Sequence, residues 1–197
     1  MSIPKHRTAP QYSYFVTTKS AEGRAIFQVR ENAQIVIDAL YRYREKGAYL
    51  LHEFVLMPDH LHLLLTPLES MSLEKAMQLI KGGSSFEIHK KRGQKMEIWQ
   101  KGFHDWTIRD ADDWRVKSEY VAMNPVRAHL VQTFRDWPYS SAFGKFILDP
   151  MPAKYLSAAS GAKAPGCEAP TQGLKPLPPK EKSAEPDSKR RWRSVGP

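Results

Sequence analysis

The spacing of apolar positions along this chain changes period several times, and each change marks an element. Residues 12–19 (YSYFVTTK) are aromatic and β-branched and read as a first strand. Residues 32–46 (NAQIVIDALYRYREK) put Ile35, Ala39, Leu40 and Tyr43 on one helical face, with Gly47 as the stop. Residues 49–57 form a second strand, Pro58-Asp59 a tight turn, and residues 60–66 a third strand running back, so the two make a hairpin. Ser70 or Ser72 caps a helix carrying Leu73, Ala76, Met77 and Ile80 on one face. Gly82-Gly83 is expected to interrupt that helix before it resumes through Phe86 and Ile88. Residues 98–109 (IWQKGFHDWTIR) read as a fourth strand bent at Gly102. Asp112 or Asp113 starts a helix ending near Met123, and Pro125 opens a short further one through Leu130.

The order strand, helix, strand, strand, helix, strand is that of a split βαβ fold. It predicts an α+β, ferredoxin-like (RRM-like) sandwich, with an antiparallel sheet, helices on one face and an added C-terminal helix. The opposite face is left for a ligand. The folded domain is expected to span residues 1–148. Beyond it Pro, Ala, Lys, Ser and Gly dominate and apolar periodicity stops, so residues 149–197 read as a disordered basic tail. Lys189, Arg190, Arg191 and Arg193 in that tail suit non-specific phosphate contacts or a solvated terminus equally well.

Charge narrows the partner. The 197 residues carry a net charge of +9, which favours a polyanion, with nucleic acid ahead of a membrane surface. Cys167 is the one cysteine, which excludes an internal disulfide or a zinc site built from cysteine pairs and suits a reducing compartment. The first residues lack the apolar core of a signal peptide, and no apolar stretch approaches a membrane span. The expected location is the cytoplasm, in association with the nucleoid.

Residues 57–67 (MPDHLHLLLTP) carry the first candidate chemistry. Side chains two apart on a strand share a face, so His60 and His62 lie together, opposite Leu61, Leu63 and Leu65. Two such imidazoles can take adjacent positions on one divalent ion. They equally suit the half-exposed surface of a sheet. A histidine-triad hydrolase would need a third histidine at position 64, where this chain has Leu. Further on, residues 118–131 (SEYVAMNPVRAHLV) place Tyr120 and Asn124 one helical turn apart. An amide oxygen is a hard ligand for Mg²⁺ or Mn²⁺. A phenol ionises more readily beside a cation and then becomes a nucleophile for a phosphodiester. The blander alternatives are packing of Tyr120 on the sheet and capping of the next helix by Asn124.

Taken together, FVTTKSAEGRAIF, EFVLMPDHLHLLLTP, LIKGGSS, IWQKGFHDWTIRD, YVAMNPVRAHLV and DWPYSSA resemble the tyrosine transposases of the HUH (His-hydrophobic-His) superfamily. The likeness is greatest to the REP-associated tyrosine transposases of bacteria. It runs in the family's order over roughly residues 12 to 143.

The resemblance implies that His60, His62 and Asn124 hold a divalent metal, Mg²⁺ or Mn²⁺, and that Tyr120 is the catalytic nucleophile. It implies cleavage and rejoining of single-stranded DNA at hairpins through a 5′-phosphotyrosine link, by a monomer or a homodimer. One departure is visible: Asp59 stands before the first histidine, where family members often have Asn. It keeps the turn and can orient His60.

Candidate DNA contacts are Lys81, Lys101, His104, Arg109 and Arg127, with Lys5 and Arg7 in the N-terminal arm. Trp99, Trp106 and Trp114 are candidates for base stacking, with core packing expected for at least two of them. Trp137-Pro138-Tyr139-Ser140 reads as a clasp closing the domain. The alternative function is a domesticated hairpin-binding protein with no cleavage. An RNA-recognition module shares the strand order, but no segment here matches its aromatic signature.

Overall fold

In a computed structural model, which describes residues 12–156, the chain forms a four-stranded antiparallel sheet of order β2-β3-β1-β4. The strands are β1 (Tyr14–Lys19), β2 (Tyr49–Leu56), β3 (His60–Pro67) and β4 (His104–Thr107). Two long helices, α1 (Arg30–Glu45) and α2 (Leu73–Arg92), cover one face. The core lies between them and the sheet: Tyr14 and Val16 of β1, Phe54 and Leu56 of β2, and Leu61, Leu63 and Leu65 of β3 meet Val36, Leu40, Ala76 and Ile80. This is the ferredoxin-like order expected from the alternating pattern. A third helix, α3 (Ala111–Arg127), lies across part of the opposite face. Its Val121 packs on Val55 and Met57, and its Trp114 packs with Leu64, Ile108 and Tyr155.

Local details differ from expectation in four places, each for a tertiary reason. The helix α2 runs unbroken through Gly82-Gly83. Gly83 is needed for close approach: a Cβ there would sit 2.5 Å from the Tyr43 hydroxyl of α1. The helix α3 also runs unbroken, through Pro125, so Asn124 lies inside it and caps nothing. Pro125 falls in the last turn, where its missing N–H removes a single ladder bond, and burial of Val121, Asn124 and Pro125 holds the helix together. It then closes with His129 at φ 56° and Leu130 N–H bonding to the Pro125 carbonyl, a Schellman-type ending. The fourth strand is short, because Gly102 at φ +72° turns the chain between an isolated Ser20–Trp99 bridge and His104.

The fourth difference is at the domain's end, where packing continues past residue 148. Asp149 accepts two bonds from Arg44, at 2.7 and 2.8 Å. Tyr155 is 2% exposed and its hydroxyl reaches the Ile108 carbonyl. The remainder of the proposed tail, with Cys167 and the Lys189–Arg193 cluster, lies outside the described residues, as do Lys5 and Arg7.

The expected clasp is present. Trp137 Nε1–H donates to the Leu56 carbonyl at 2.9 Å, Leu56 N–H donates to the Tyr139 carbonyl at 2.9 Å, and Ser140 bridges to Val55. Among the described residues no helix is long and apolar enough to cross a membrane.

Candidate active site

Strand register places the chemistry. On the face that meets α3, Val55, His62, Thr17 and His104 form one row across the four strands. Glu53, Leu64, Phe15 and Trp106 form the next row, and His60 pairs with Lys19 in the row beyond His62. The β2–β3 turn that launches His60 is pinned from outside. Ser20 N–H donates to the Asp59 carbonyl at 2.7 Å, and Phe27 N–H to the Pro58 carbonyl at 2.9 Å.

Both imidazoles are oriented through Nδ1. His60 Nδ1–H donates to the Asp59 carboxylate at 2.6 Å, and His62 Nδ1 lies 2.8 Å from the Thr17 hydroxyl. The two rings are 4.7 Å apart, edge to face. Burial, followed by the electrostatic influence of His60 and Lys19, pushes the His62 pKa down to about 3, so its ring is neutral at physiological pH. In the tautomer whose Nδ1–H donates to Thr17, the lone pair sits on Nε2. That nitrogen is buried and has no hydrogen-bond partner among the described residues. An orphaned buried imidazole nitrogen is costly unless something occupies it, and a divalent ion fits that donor. Asn124, one helical turn after Tyr120 on α3 and 8% exposed, carries the amide oxygen of the candidate set. No group of three His, Cys, Asp or Glu side chains is placed to hold a metal among the described residues. The candidate ligand set is therefore two imidazoles and an amide.

Tyr120 is delivered by α3. Its ring stands edge-on to His62 at 5.2 Å and to Phe15 at 5.7 Å, all within one chain. The helix is anchored on both sides of it, by Trp114 and by Val121, and Ser118 hydrogen-bonds the Glu53 carboxyl of β2. Burial raises the Glu53 pKa, and the Ser118 bond partly offsets that rise. Arg127 holds its guanidinium 5.4 Å from the Tyr120 ring centroid, a fixed positive charge beside the phenol. The arrangement sets the Tyr120 phenol ring beside the imidazole pair, a combination suited to chemistry on a phosphodiester.

The candidate DNA contacts separate into distinct settings. His104 and Arg127 lie on the same side of the sheet as the histidines. Lys81 turns inward: its ammonium donates to the carbonyls of Gln100 and Gly102 at 2.7 and 2.6 Å, and burial lowers its pKa. It braces the turn before β4. Lys101 is exposed on that turn. Arg109 forms a two-pronged pair with Asp113 at 2.7 and 3.0 Å.

Of the tryptophans, Trp99 and Trp114 are core, each 8% exposed, whereas Trp106 is 47% exposed. Thr17, Lys19, Phe15 and Lys117 were not singled out from the sequence. The first three alternate along β1 on the histidine face, and Lys117 sits three residues before Tyr120, so strand and helix periods together would have found them.

Comparison with known proteins identifies the family. The family model described as "Transposase IS200 like" matches residues 10–124. A protein of Haemophilus influenzae assigned as a REP-associated tyrosine transposase is 31% identical over 96 residues, covering 44% of this chain and 54% of that one. The REP-associated tyrosine transposase of Escherichia coli K12 is 24% identical over 116 residues, covering 55% and 63%. The matches thus span between about half and two thirds of these relatives' own length. A solved structure of a REP-associated tyrosine transposase bound to a REP hairpin shares the fold, with a TM-score of 0.61 at 23% identity, over 72% of this chain and 82% of that one.

Proposed function

This chain belongs to the IS200-like transposase family, and on that premise we propose that it cuts and rejoins single-stranded DNA beside hairpins, with Tyr120 as nucleophile. The observation that carries this reading is the Tyr120 ring edge-on to a neutral His62 whose buried Nε2 has no partner among the described residues. A protein that only held DNA would have no use for that combination.

His60 and His62, through Nε2, with Asn124, would hold a divalent cation, Mg²⁺ or Mn²⁺. When bound it would stabilise negative charge on the transferring phosphate. The remaining steps belong to the chain. Thr17 and Asp59 fix the two rings, so the ligand atoms are oriented before DNA arrives. Arg127 sets a positive charge beside the Tyr120 ring, where it can meet the negative charge of a phosphate. The Tyr120 phenol gives its proton to water as its oxygen attacks phosphorus, the bond from phosphorus to the 3′ oxygen breaks, and that oxygen takes a proton back from solvent to become a free 3′-hydroxyl. A phosphotyrosine on the 5′ side conserves the ester, so attack by a 3′-hydroxyl reverses the step without an external energy source. The hairpin partner is supported by the solved relative, which is bound to one.

The test is adduct formation. Protein mixed with Mn²⁺ or Mg²⁺ and a single-stranded hairpin oligonucleotide carrying unpaired flanks is expected to give a covalent band on a denaturing gel. Tyr120→Phe is expected to lose the band while its affinity for the oligonucleotide stays within about twofold. An adduct formed by Tyr120→Phe would remove Tyr120 from the role. Tight binding without an adduct by the unaltered protein would favour a hairpin binder instead.

A further inference from the structure

Next to the candidate reaction centre the sheet face carries an aromatic and cationic strip that the chemistry above does not use. Trp106 lies on the edge strand β4 directly opposite Phe15, and Phe15 is the ring against which both Tyr120 and His62 rest. Two strand spacings, roughly 10 Å, therefore separate Trp106 from the His62 strand. Trp106 is 47% exposed there, so part of its ring surface is open to a ligand.

Its surroundings are built. Asp113 of α3 pairs with Arg109, and that pair, with a further contribution from Trp106 itself, holds the Asp113 carboxyl down to about 2. The Arg109 guanidinium lies 5.8 Å from the Trp106 ring. One helical turn further along α3, the Lys117 ammonium sits 4.8 Å from the Trp106 ring and 5.1 Å from Phe15. Lys117 has no carboxylate partner among the described residues, so its charge remains available to an anion. Asp113, Lys117, Tyr120 and Asn124 follow one another at spacings of four, three and four, which is one face of a helix. The same face thus presents the nucleophile and, one turn earlier, the cation over Trp106.

We propose that Trp106 and Lys117 form a subsite for an unpaired nucleotide flanking the reacting phosphate, with the base stacked on the indole and the phosphate paired with the ammonium. The occupant is single-stranded rather than duplex DNA. Only an unpaired base frees a face for an indole, and the mix of aromatic surface and cation matches a base and its phosphate together. Arg109 is already committed to Asp113, so it steadies the plate and Lys117 reads the backbone. Stacking accepts any base, so the subsite holds flanking strand in place without choosing its sequence. This deepens the single-strand reading above and rests on it for the identity of the strand.

The experiment uses the full chain carrying Tyr120→Phe, so that cleavage does not interfere. Fluorescence anisotropy compares a labelled oligothymidine of about 12 nucleotides with an abasic chain of the same length and charge. The expected result is about tenfold tighter binding of oligothymidine, a preference that Trp106→Ala abolishes and Trp106→Phe largely keeps. Lys117→Ala is expected to weaken both chains alike and to lower the salt slope by roughly one. An oligothymidine preference that survives Trp106→Ala would overturn the proposal, as would equal weakening of both chains by that variant. Retention of the preference in Trp106→Phe separates lost stacking from a disturbed fold, and a melting curve of each variant checks the same point. The adduct assay on the Tyr120 protein is independent: base-dependent binding without an adduct would sink the nuclease reading and leave the subsite standing.

Discussion

The two faces of β3 carry the same strand to opposite ends. On one, Leu61, Leu63 and Leu65 are each 0% exposed and packed under α1 and α2. On the other, His60 and His62 alternate with them beside Thr17 and under Tyr120. Among the described residues each face also holds one buried polar atom without a partner: the Thr18 hydroxyl on the leucine side and His62 Nε2 on the other. The difference teaches where stability and chemistry are lodged. The apolar face supplies the free energy that lets the opposite face keep a donor unsatisfied, ready for a ligand.

The sharpest way to break this comparison is His62→Ala. Loss of an oriented metal ligand is expected to reduce adduct formation by more than about a hundredfold, since even loss of supporting partners costs 10–100-fold. Its effect on stability is expected to be smaller than that of a leucine truncation, because the substitution also removes the orphaned nitrogen. Quantified denaturing gels and urea unfolding of the same variant check the two halves. Full activity in His62→Ala would end the metal assignment.

Leu63→Ala on the other side of the strand is the converse. It should cost about 2–5 kcal/mol, read from the urea midpoint, because it empties a fully buried site lined by two helices. At a temperature where the variant is still folded, its adduct yield per folded molecule should be near that of the unaltered protein. A loss of chemistry disproportionate to the loss of fold would show that the two faces are not separable.

How far the sequence reveals these faces follows from range. The alternation HLHLLL is local, as is the Pro58-Asp59 turn, and both are legible directly as a hairpin with two histidines on one side. The continuity of α2 and α3 is not, because Gly83 and Pro125 act locally as breakers and are overruled by contacts made elsewhere, Tyr43 against Gly83 and Val121 against Val55 and Met57. Tyr155 is hidden for a similar reason: a single aromatic in a stretch rich in Pro, Ala and Lys gives no periodic signal, yet it packs on Trp114 at 5.4 Å. The meeting of Tyr120 with His62 joins residues far apart in the chain. Residue spacing alone left it open, and the resemblance to a family supplied it. The row that adds Phe15, Trp106 and Lys117 needed the strand register.

The smallest expected effect tests the pairing of the two orphaned atoms. Thr18 faces the leucine side, opposite Leu61, 1% exposed, with its hydroxyl unpartnered among the described residues. Burying a hydroxyl without a hydrogen bond costs about 1–3 kcal/mol in proteins. Valine keeps the branched shape and replaces the hydroxyl with a methyl group, and β-branching suits the strand. Thr18→Val should therefore stabilise the domain by about 1 kcal/mol, raising the calorimetric Tm by roughly 2–4 °C, with adduct yield unchanged. Removing the orphan on one face strengthens the fold, and removing its counterpart on the other ends the chemistry. If Thr18→Val instead lowered both Tm and adduct yield, the Thr18 hydroxyl would have a partner in solution, and the contrast between an idle buried group and a waiting ligand would rest on His62 alone.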